Sequence, residues 1–475
     1  MDYYVKRIGQ HRGAPRIYLD GHQAVRAGFS PGDRFNIELN EGKGITLTVS
    51  KDGSRTVSSK KKGDKTLPVI DINSAELLKV FEGMDAVRLI VKGGKVIFVP
   101  LASELQKRNR LADMVGRIQR AETLRIGSLT HGGGVMCHAI HAGLKAAGIK
   151  STLMFANDIR EDLIAHAAEH NDAWGPETHA IAAPMQELVQ DEWLMNNLPK
   201  LDVLDMSLPC SGASVAGVSK RGLEKMEDHP EVGHLVYAAL VIINKTQPAA
   251  LLLENVVNYS KSASAQILRL QLRDMGYDVH EAVLNGKDWG CLEPRERWCM
   301  VATTRGMTFD FDQIAPAATV VKRLSDVLEH ISDDDPRWSE MRGLREKEKR
   351  DMAAGKGFRM QVYDSDSTKI NTLTKGYAKV RSTDPKIAHE SDPNLLRQIT
   401  SLEHARIKNV PAHLIEDLSE TTAHELLGQS VVYDPFVSVG QRIGEAVMEY
   451  VNEAAERQRE TTANVAGRRL VRATG

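Results

Sequence analysis

Three short segments of this 475-residue chain hold residues whose types and places would suit chemistry on a substrate. In LDVLDMSLPCSGASVAG (201–217) an apolar strand ends at Pro209-Cys210 and opens into a loop of Ser, Gly and Ala. Most lone cysteines are buried hydrophobes. One presented at the end of a central strand, beside a small-residue loop, is placed as a nucleophile. In LLLENVVNY (251–259) Glu254 closes an apolar strand. A carboxyl group there is costly to bury without a partner or a task, and a protonated one would donate to a ring nitrogen. In EPRERWCMVATT (293–304) Arg295 and Arg297 stand two apart, which on a strand puts both on one face. The plainer alternative is an ion-pair ladder with Glu293 and Glu296.

A fourth segment suits ligand binding. SLTHGGGVMCHAIHAGL (128–144) reads as a strand, a glycine-rich turn and a helix. Glycines let a ligand approach the backbone, and a helix N-terminus offers unpaired N–H groups. The next strand ends at Asn157-Asp158, where an acid would accept hydrogen bonds from ribose hydroxyls or cap the following helix.

Alternating strands and helices must position these groups. Strands are predicted at 123–129, 151–158, 202–208, 249–256 and 297–304, and helices at 134–148, 234–247 and 264–276. This alternation implies a mostly parallel sheet covered on both faces, with its site at the carboxyl ends of the strands. Residues 103–123 read as a polar helical linker. From 306 to 390 the alternation breaks into a charged helix (337–359) and a Thr/Lys-rich, β-like stretch. The chain turns helical again from 397, and fraying is expected from about 460.

The first hundred residues hold 17 Lys and Arg against 11 Asp and Glu, although the whole chain carries a formal charge of −1. They form two similar units, at 16–49 and 68–99. Each is a strand, a short helix, a turn (Pro31-Gly32-Asp33 or Gly83-Met84-Asp85) and two strands. Between them KDGSRTVSSKKKGDK (51–65) reads as a solvated loop or a DNA-contacting arm. No apolar run is long enough to span a membrane and the N-terminus has no secretory h-region. The four cysteines lack metal-ligand spacing, so no metal is expected.

Taken in order, these motifs resemble the DNA cytosine-5 methyltransferases over about 125–305 and 390–450. The turn at 128–135 corresponds to the first motif, and Pro209-Cys210 with Ser214 to the nucleophile motif. Glu254-Asn255-Val256 is similar to the Glu-Asn-Val motif, and Arg295-Glu296-Arg297 to Arg-x-Arg. Arg397, Thr400, Glu403 and Arg406 fall in the motif after the recognition domain, and LGQSV (427–431) in the segment that returns to the cofactor. Thr130, Val135, Leu208 and Gln429 depart from the usual residues, and the third motif's Asp is missing near 181–188. The first hundred residues resemble a tandem AbrB-like swapped-hairpin barrel.

The resemblance implies an α/β, doubly wound, Rossmann-like methyltransferase sheet with a small target-recognition domain and an N-terminal β-rich barrel. Domains are expected at 1–102 (AbrB-like), 103–305 (catalytic), 306–390 (target recognition), 391–460 (return to the catalytic domain) and 461–475 (disordered tail). Cys210, Glu254, Arg295 and Arg297 would be catalytic. Leu129, Thr130, Gly132, Gly133, Gly134, Asp158, Ile159, Pro209, Leu235, Gln429, Ser430 and Val431 would bind S-adenosyl-L-methionine. The substrate would be a flipped cytosine in double-stranded DNA, with 211–224 (including Lys220 and Arg221) as closing lid and Thr372-Leu373 in the recognition segment. A cytoplasmic, nucleoid-associated protein of bacterial or phage origin is implied, with a possible partner restriction enzyme. The same chemistry on tRNA, a catalytically decayed DNA-binding regulator and transfer of a modified methyl group stay open as alternatives.

Overall fold

The computed structural model describes residues 1–11, 14–40, 43–209, 225–314, 316, 322–357 and 359–473. The chain divides into two compact units, Met1–Asn109 and Arg110–Gly475.

In the first unit the two repeats interleave. The first runs through β3 (Ala14–Asp20), β4 (Arg34–Asn40) and β5 (Gly44–Val49), and the second through β8 (Lys65–Ile72), β9 (Ala86–Lys92) and β10 (Lys95–Pro100). β3 pairs with β8, and β10 sits between β9 and β5, so each repeat completes the other's ladder. Their inward faces share one core containing Ile17, Leu47, Phe81 and Phe98. β1 (Asp2–Arg7) flanks β9, β2 (Gly9–His11) flanks β3, and β6 (Arg55–Thr56) flanks β4. The described strands thus form open six- and four-stranded sheets, and the expected barrel closure is absent among them. The basic connector also departs from its reading as a loop. Ser58–Lys62 forms β7, an exposed edge strand against β8. Its lysines charge that edge, which discourages further strand pairing.

The second unit is built on a seven-stranded sheet. Its members are β11 (Leu124–Leu129), β12 (Ser151–Asp158), β13 (His179–Ala182), β14 (Val203–Met206), β15 (Ala250–Asn255), β16 (Tyr277–Asn285) and β17 (Glu296–Thr304). The order is β13-β12-β11-β14-β15-β17-β16, parallel except for β17 against both of its neighbours. This is the doubly wound arrangement expected, and the order reverses between β11 and β14, where ligands bind in such sheets. Every residue of β15 is buried, as a central strand covered on both faces requires.

One core lies under Val135–Ala146 and Tyr433–Ala473, the other under Leu235–Thr246 and Ala263–Asp274. The C-terminal helix packs so closely on Val135–Ala146 that a Cβ at Gly143 would fall 2.2 Å from the Val437 carbonyl oxygen. This helix continues through Ala473, beyond the point near 460 where fraying is expected.

The helical reading of 103–123 holds for most of that segment. Ala102–Gln119 is one helix whose Arg110 is buried over Tyr277 and donates to Thr304, Gln247 and the Met275 carbonyl. Its polar composition concealed a buried guanidinium whose partners lie far along the chain.

In 306–390 the helix shrinks to Arg342–Ala353, none of whose residues is buried. The stretch 368–382 contains no strand. Ile370, Leu373 and Tyr377 anchor it as a loop on a small core with Leu324 and Ile399, so apolar anchors replace a ladder. No described helix is long and apolar enough to cross a membrane.

Candidate active site

The ends of β11, β12, β14 and β15 converge, and hydrogen bonds tie them pairwise. After β11, Thr130 adopts a left-handed φ of 51°, a strained conformation for a β-branched residue. Its hydroxyl donates to the Ser207 carbonyl and accepts from the Ser207 amide at 3.1 Å, joining the ends of β11 and β14. Glycine is required next. Gly134 has φ 76° and lies against His131 and Asn171, and a Cβ at Gly133 would fall 2.2 Å from Leu426 Cδ1.

Asp158 ends β12 and clamps this turn. One carboxylate oxygen accepts from the Gly132 amide at 2.8 Å and the other from the Arg160 amide at 3.0 Å. It is not the cap of the following helix, whose N-cap position is Arg160. Ile159 beside it is an exposed aliphatic side chain, 71% accessible. Leu129 is buried, Pro209 is half-buried, and Leu235 is buried at the start of its helix. Gln429 is exposed, Ser430 half-buried and Val431 buried.

Glu254 stands at the end of β15, 7% exposed. Its carboxylate accepts from Ser207 Oγ at 2.9 Å and from Arg297 Nε at 2.8 Å. The adjacent Asn255 donates from Nδ2 to the Leu208 carbonyl at 2.8 Å and accepts from the Val256 amide at 2.9 Å. Asn255 therefore fixes the backbone that leads into Pro209. Cys210, Ser214 and the loop 211–224 with Lys220 and Arg221 lie outside the described residues.

The two arginines separate. β17 begins at Glu296, so Arg295 precedes the strand, and the expected shared face does not form. Arg295 pairs with Glu293 at 3.1 Å and donates to the Gly428 carbonyl at 2.9 Å. Only Arg297 meets Glu254. Beside Gly428, the buried Lys408 ammonium donates to the Leu427 and Ser430 carbonyls, and burial holds its pKa well below the ordinary lysine value. Arg295 and Lys408 thus donate to carbonyls at the carboxyl end of the helix Glu420–Gln429 and fix the segment entering Gln429–Val431.

Arg397 and Glu403 form a buried two-bond pair, both bonds 2.7 Å. Thr400 and Glu403 form a reciprocal capping box at the start of Ser401–Ile407. Arg406 donates to the Val327 carbonyl at 3.3 Å.

Sequence reasoning missed Ser207, Asn255 as a positioning group, and a buried chain beneath the turn. Trp174 Nε1 donates to His131 Nε2, so His131 Nδ1 carries the proton toward Ser128. Ser128 Oγ in turn donates to Asp205 at 2.7 Å. Burial lowers His131 to about 3 and raises Asp205 to about 7. The signal was available: Asp205, like Glu254, is a carboxyl in an apolar strand.

These features fit a nucleoside-bearing cofactor at the β11–β12 edge: a glycine turn without side-chain bulk, a carboxylate at the next strand end, and an exposed aliphatic beside it.

The model of the family described as "C-5 cytosine-specific DNA methylase" matches residues 135–448. The chain is 28% identical over 261 residues to the Type II methyltransferase M1.ScrFI of Lactococcus lactis subsp. cremoris, covering 53% of this chain and 64% of that protein. It is 28% identical over 260 residues to M.NlaX of Neisseria lactamica, covering 53% and 78%. The chain therefore spans under two thirds of M1.ScrFI. The crystal structure of the S. pombe Dnmt2 methyltransferase superposes with a TM-score of 0.53 at 21% identity, covering 69% of this chain and 99% of that one, a likeness of fold.

Proposed function

The chain belongs to the C-5 cytosine-specific DNA methylase family, and from that premise we propose that it methylates carbon 5 of a cytosine flipped out of duplex DNA. The observation that carries this reading is Glu254, bound by Arg297 and Ser207, at a strand end whose neighbour Asn255 holds the backbone entering Pro209-Cys210.

In this mechanism the Cys210 thiolate forms a bond to carbon 6. The ring electrons shift toward nitrogen 3, where Glu254 holds or supplies a proton. Arg297 and Ser207 keep the carboxyl group in place. S-adenosylmethionine, the family's cofactor, supplies the methyl group when bound. Carbon 5, now an enamine terminus, becomes the nucleophile. Removal of its proton by a base restores the ring and expels the Cys210 thiolate. Thr130, Gly132, Gly133, Gly134, Asp158 and Ile159 would line the cofactor side, with Leu129, Pro209, Leu235 and Gln429–Val431 around it. Arg295 acts at one remove by holding Gly428.

Residues 306–390 would read the flanking bases, and 211–224 would close over the flipped base. The interleaved hairpins of the first unit and its exposed Lys60–Lys62 edge support an AbrB-like module that adds backbone contacts to DNA. The proposal extends to a companion restriction endonuclease sharing the target sequence.

A second reading, the same transfer to tRNA, draws support from the sparse regular structure of 306–390, whose described residues hold one α-helix, single 3-10 turns and short strands. Transfer of labelled methyl to duplex DNA and to tRNA, each with Cys210→Ala beside it, tests both. Duplex labelling lost in the variant supports DNA. Labelling of tRNA alone moves the conclusion to tRNA. Labelling retained in the variant refutes the mechanism on either substrate.

A further inference from the structure

We propose that His138, Asp172 and His413 form a binding site for a divalent first-row transition ion of the zinc type. One oxygen or nitrogen from each lies within 4.8 Å of the others. His138 Nε2 is 2.7 Å from Asp172 Oδ1, and His413 Nε2 is 3.8 Å from the same oxygen. The donors come from three separate segments: the helix Val135–Ala146, the turn after Glu161–His170, and the turn Ala412–Ile415. That separation explains why no metal-ligand spacing is visible in the sequence.

Two details distinguish this cluster from a surface ion pair. The other ring nitrogen of His138 bonds to the Tyr433 hydroxyl at 2.6 Å, the outer-shell partner that orients a metal-bound imidazole. His413 Nε2 is buried without a hydrogen-bond partner, although the rest of that ring is partly exposed. Two imidazoles and one carboxylate suit zinc, nickel or cobalt better than magnesium or calcium, and leave a position open for water. Ion bonds of about 2.0–2.1 Å would hold the donor atoms slightly farther apart than His138 and Asp172 now are. Asp172, with 77% of its side chain exposed, is able to make that shift.

Such an ion would tie the helix that follows the glycine turn to the C-terminal return. Asn171, next to Asp172, already donates to the Gly134 carbonyl at 3.2 Å. Because the ion binds the folded state, it would raise thermal stability.

The test uses the full chain, free of any histidine tag and stripped with chelator, titrated with Zn²⁺ alone against a chromophoric chelator. Cobalt absorption spectra and melting curves accompany the titration. About one zinc per chain is expected, with a raised melting temperature and a cobalt d–d band. Asp172→Asn alters an exposed side chain and His413→Ala a partly exposed one, and unchanged metal-free melting shows that they fold. Each should weaken zinc at least tenfold and abolish the stabilisation, while Tyr433→Phe should weaken it by about tenfold. No stoichiometric zinc, or binding unchanged in both folded variants, overturns the proposal.

Discussion

Replacing Asn255 by alanine tests whether the strand ends form one positioning unit. Asn255 is 2% exposed and satisfies two backbone groups, the Leu208 carbonyl at 2.8 Å and the Val256 amide at 2.9 Å. Leu208 is itself buried, so water would not readily replace the lost donor. A buried polar group stripped of its partner costs about 1–3 kcal/mol. Two such groups, partly relieved by backbone shifts, place the expected loss at about 2–4 kcal/mol. Urea unfolding followed by circular dichroism measures it.

The functional effect should be separable. Leu208 precedes Cys210 by two residues, and a misplacement of about 1 Å in a reacting group costs about 10²-fold in rate. Single-turnover methyl transfer, at a temperature where the variant is fully folded, should therefore slow by about that factor. Asn255→Asp keeps the size but sets a second oxygen against the Leu208 carbonyl, so it should recover neither the stability nor the rate. Loss of less than about 0.5 kcal/mol, within the range of ordinary surface changes, together with an unchanged rate would refute the reasoning.

Arg297→Met withdraws the charged partner of Glu254 and should lower single-turnover transfer by about 10²–10³-fold, with Arg297→Lys intermediate; equal rates in all three proteins would remove Arg297 from the site. Arg397→Met leaves Glu403 charged and fully buried, and should cost about 3–5 kcal/mol in denaturant unfolding; a loss under about 1 kcal/mol would show that the pair contributes little. Burial raises Asp205 from 3.8 to about 7, so the folded chain binds the extra proton between those values and stability from this group is lost as pH rises through that window. Asp205→Asn should therefore gain on the parent as pH rises from about 4 to about 7, by on the order of 1–3 kcal/mol. The opposing slope from His131 is present in both proteins and drops out of the difference; parallel pH–stability curves would contradict the assignment.

The amino-acid order by itself determined five of the seven strands of the sheet, while β13 and β16, at its two edges, were not read from it. Strands such as Ser151–Asp158 and helices such as Val135–Ala146 begin and end close to their predicted limits. Apolar periodicity and terminal glycines act over a few residues, and a linear reading detects them. The same locality made Glu254 legible, because an acid closing an apolar strand is conspicuous without knowledge of its neighbours.

Partner choice depended on the tertiary fold. Two-residue spacing put Arg295 and Arg297 on one face, yet β17 starts one residue too late and Arg295 turns to Gly428, 133 positions away. Asp158 became a clamp for Gly132, Asn255 a brace for Leu208, and Lys60–Lys62 an edge strand. The trio His138, Asp172 and His413 has no linear signature at all. In each case the decisive contact joins residues brought together only when the sheet and its covering helices pack, so the geometry arises from closure of the fold rather than from any short stretch of chain.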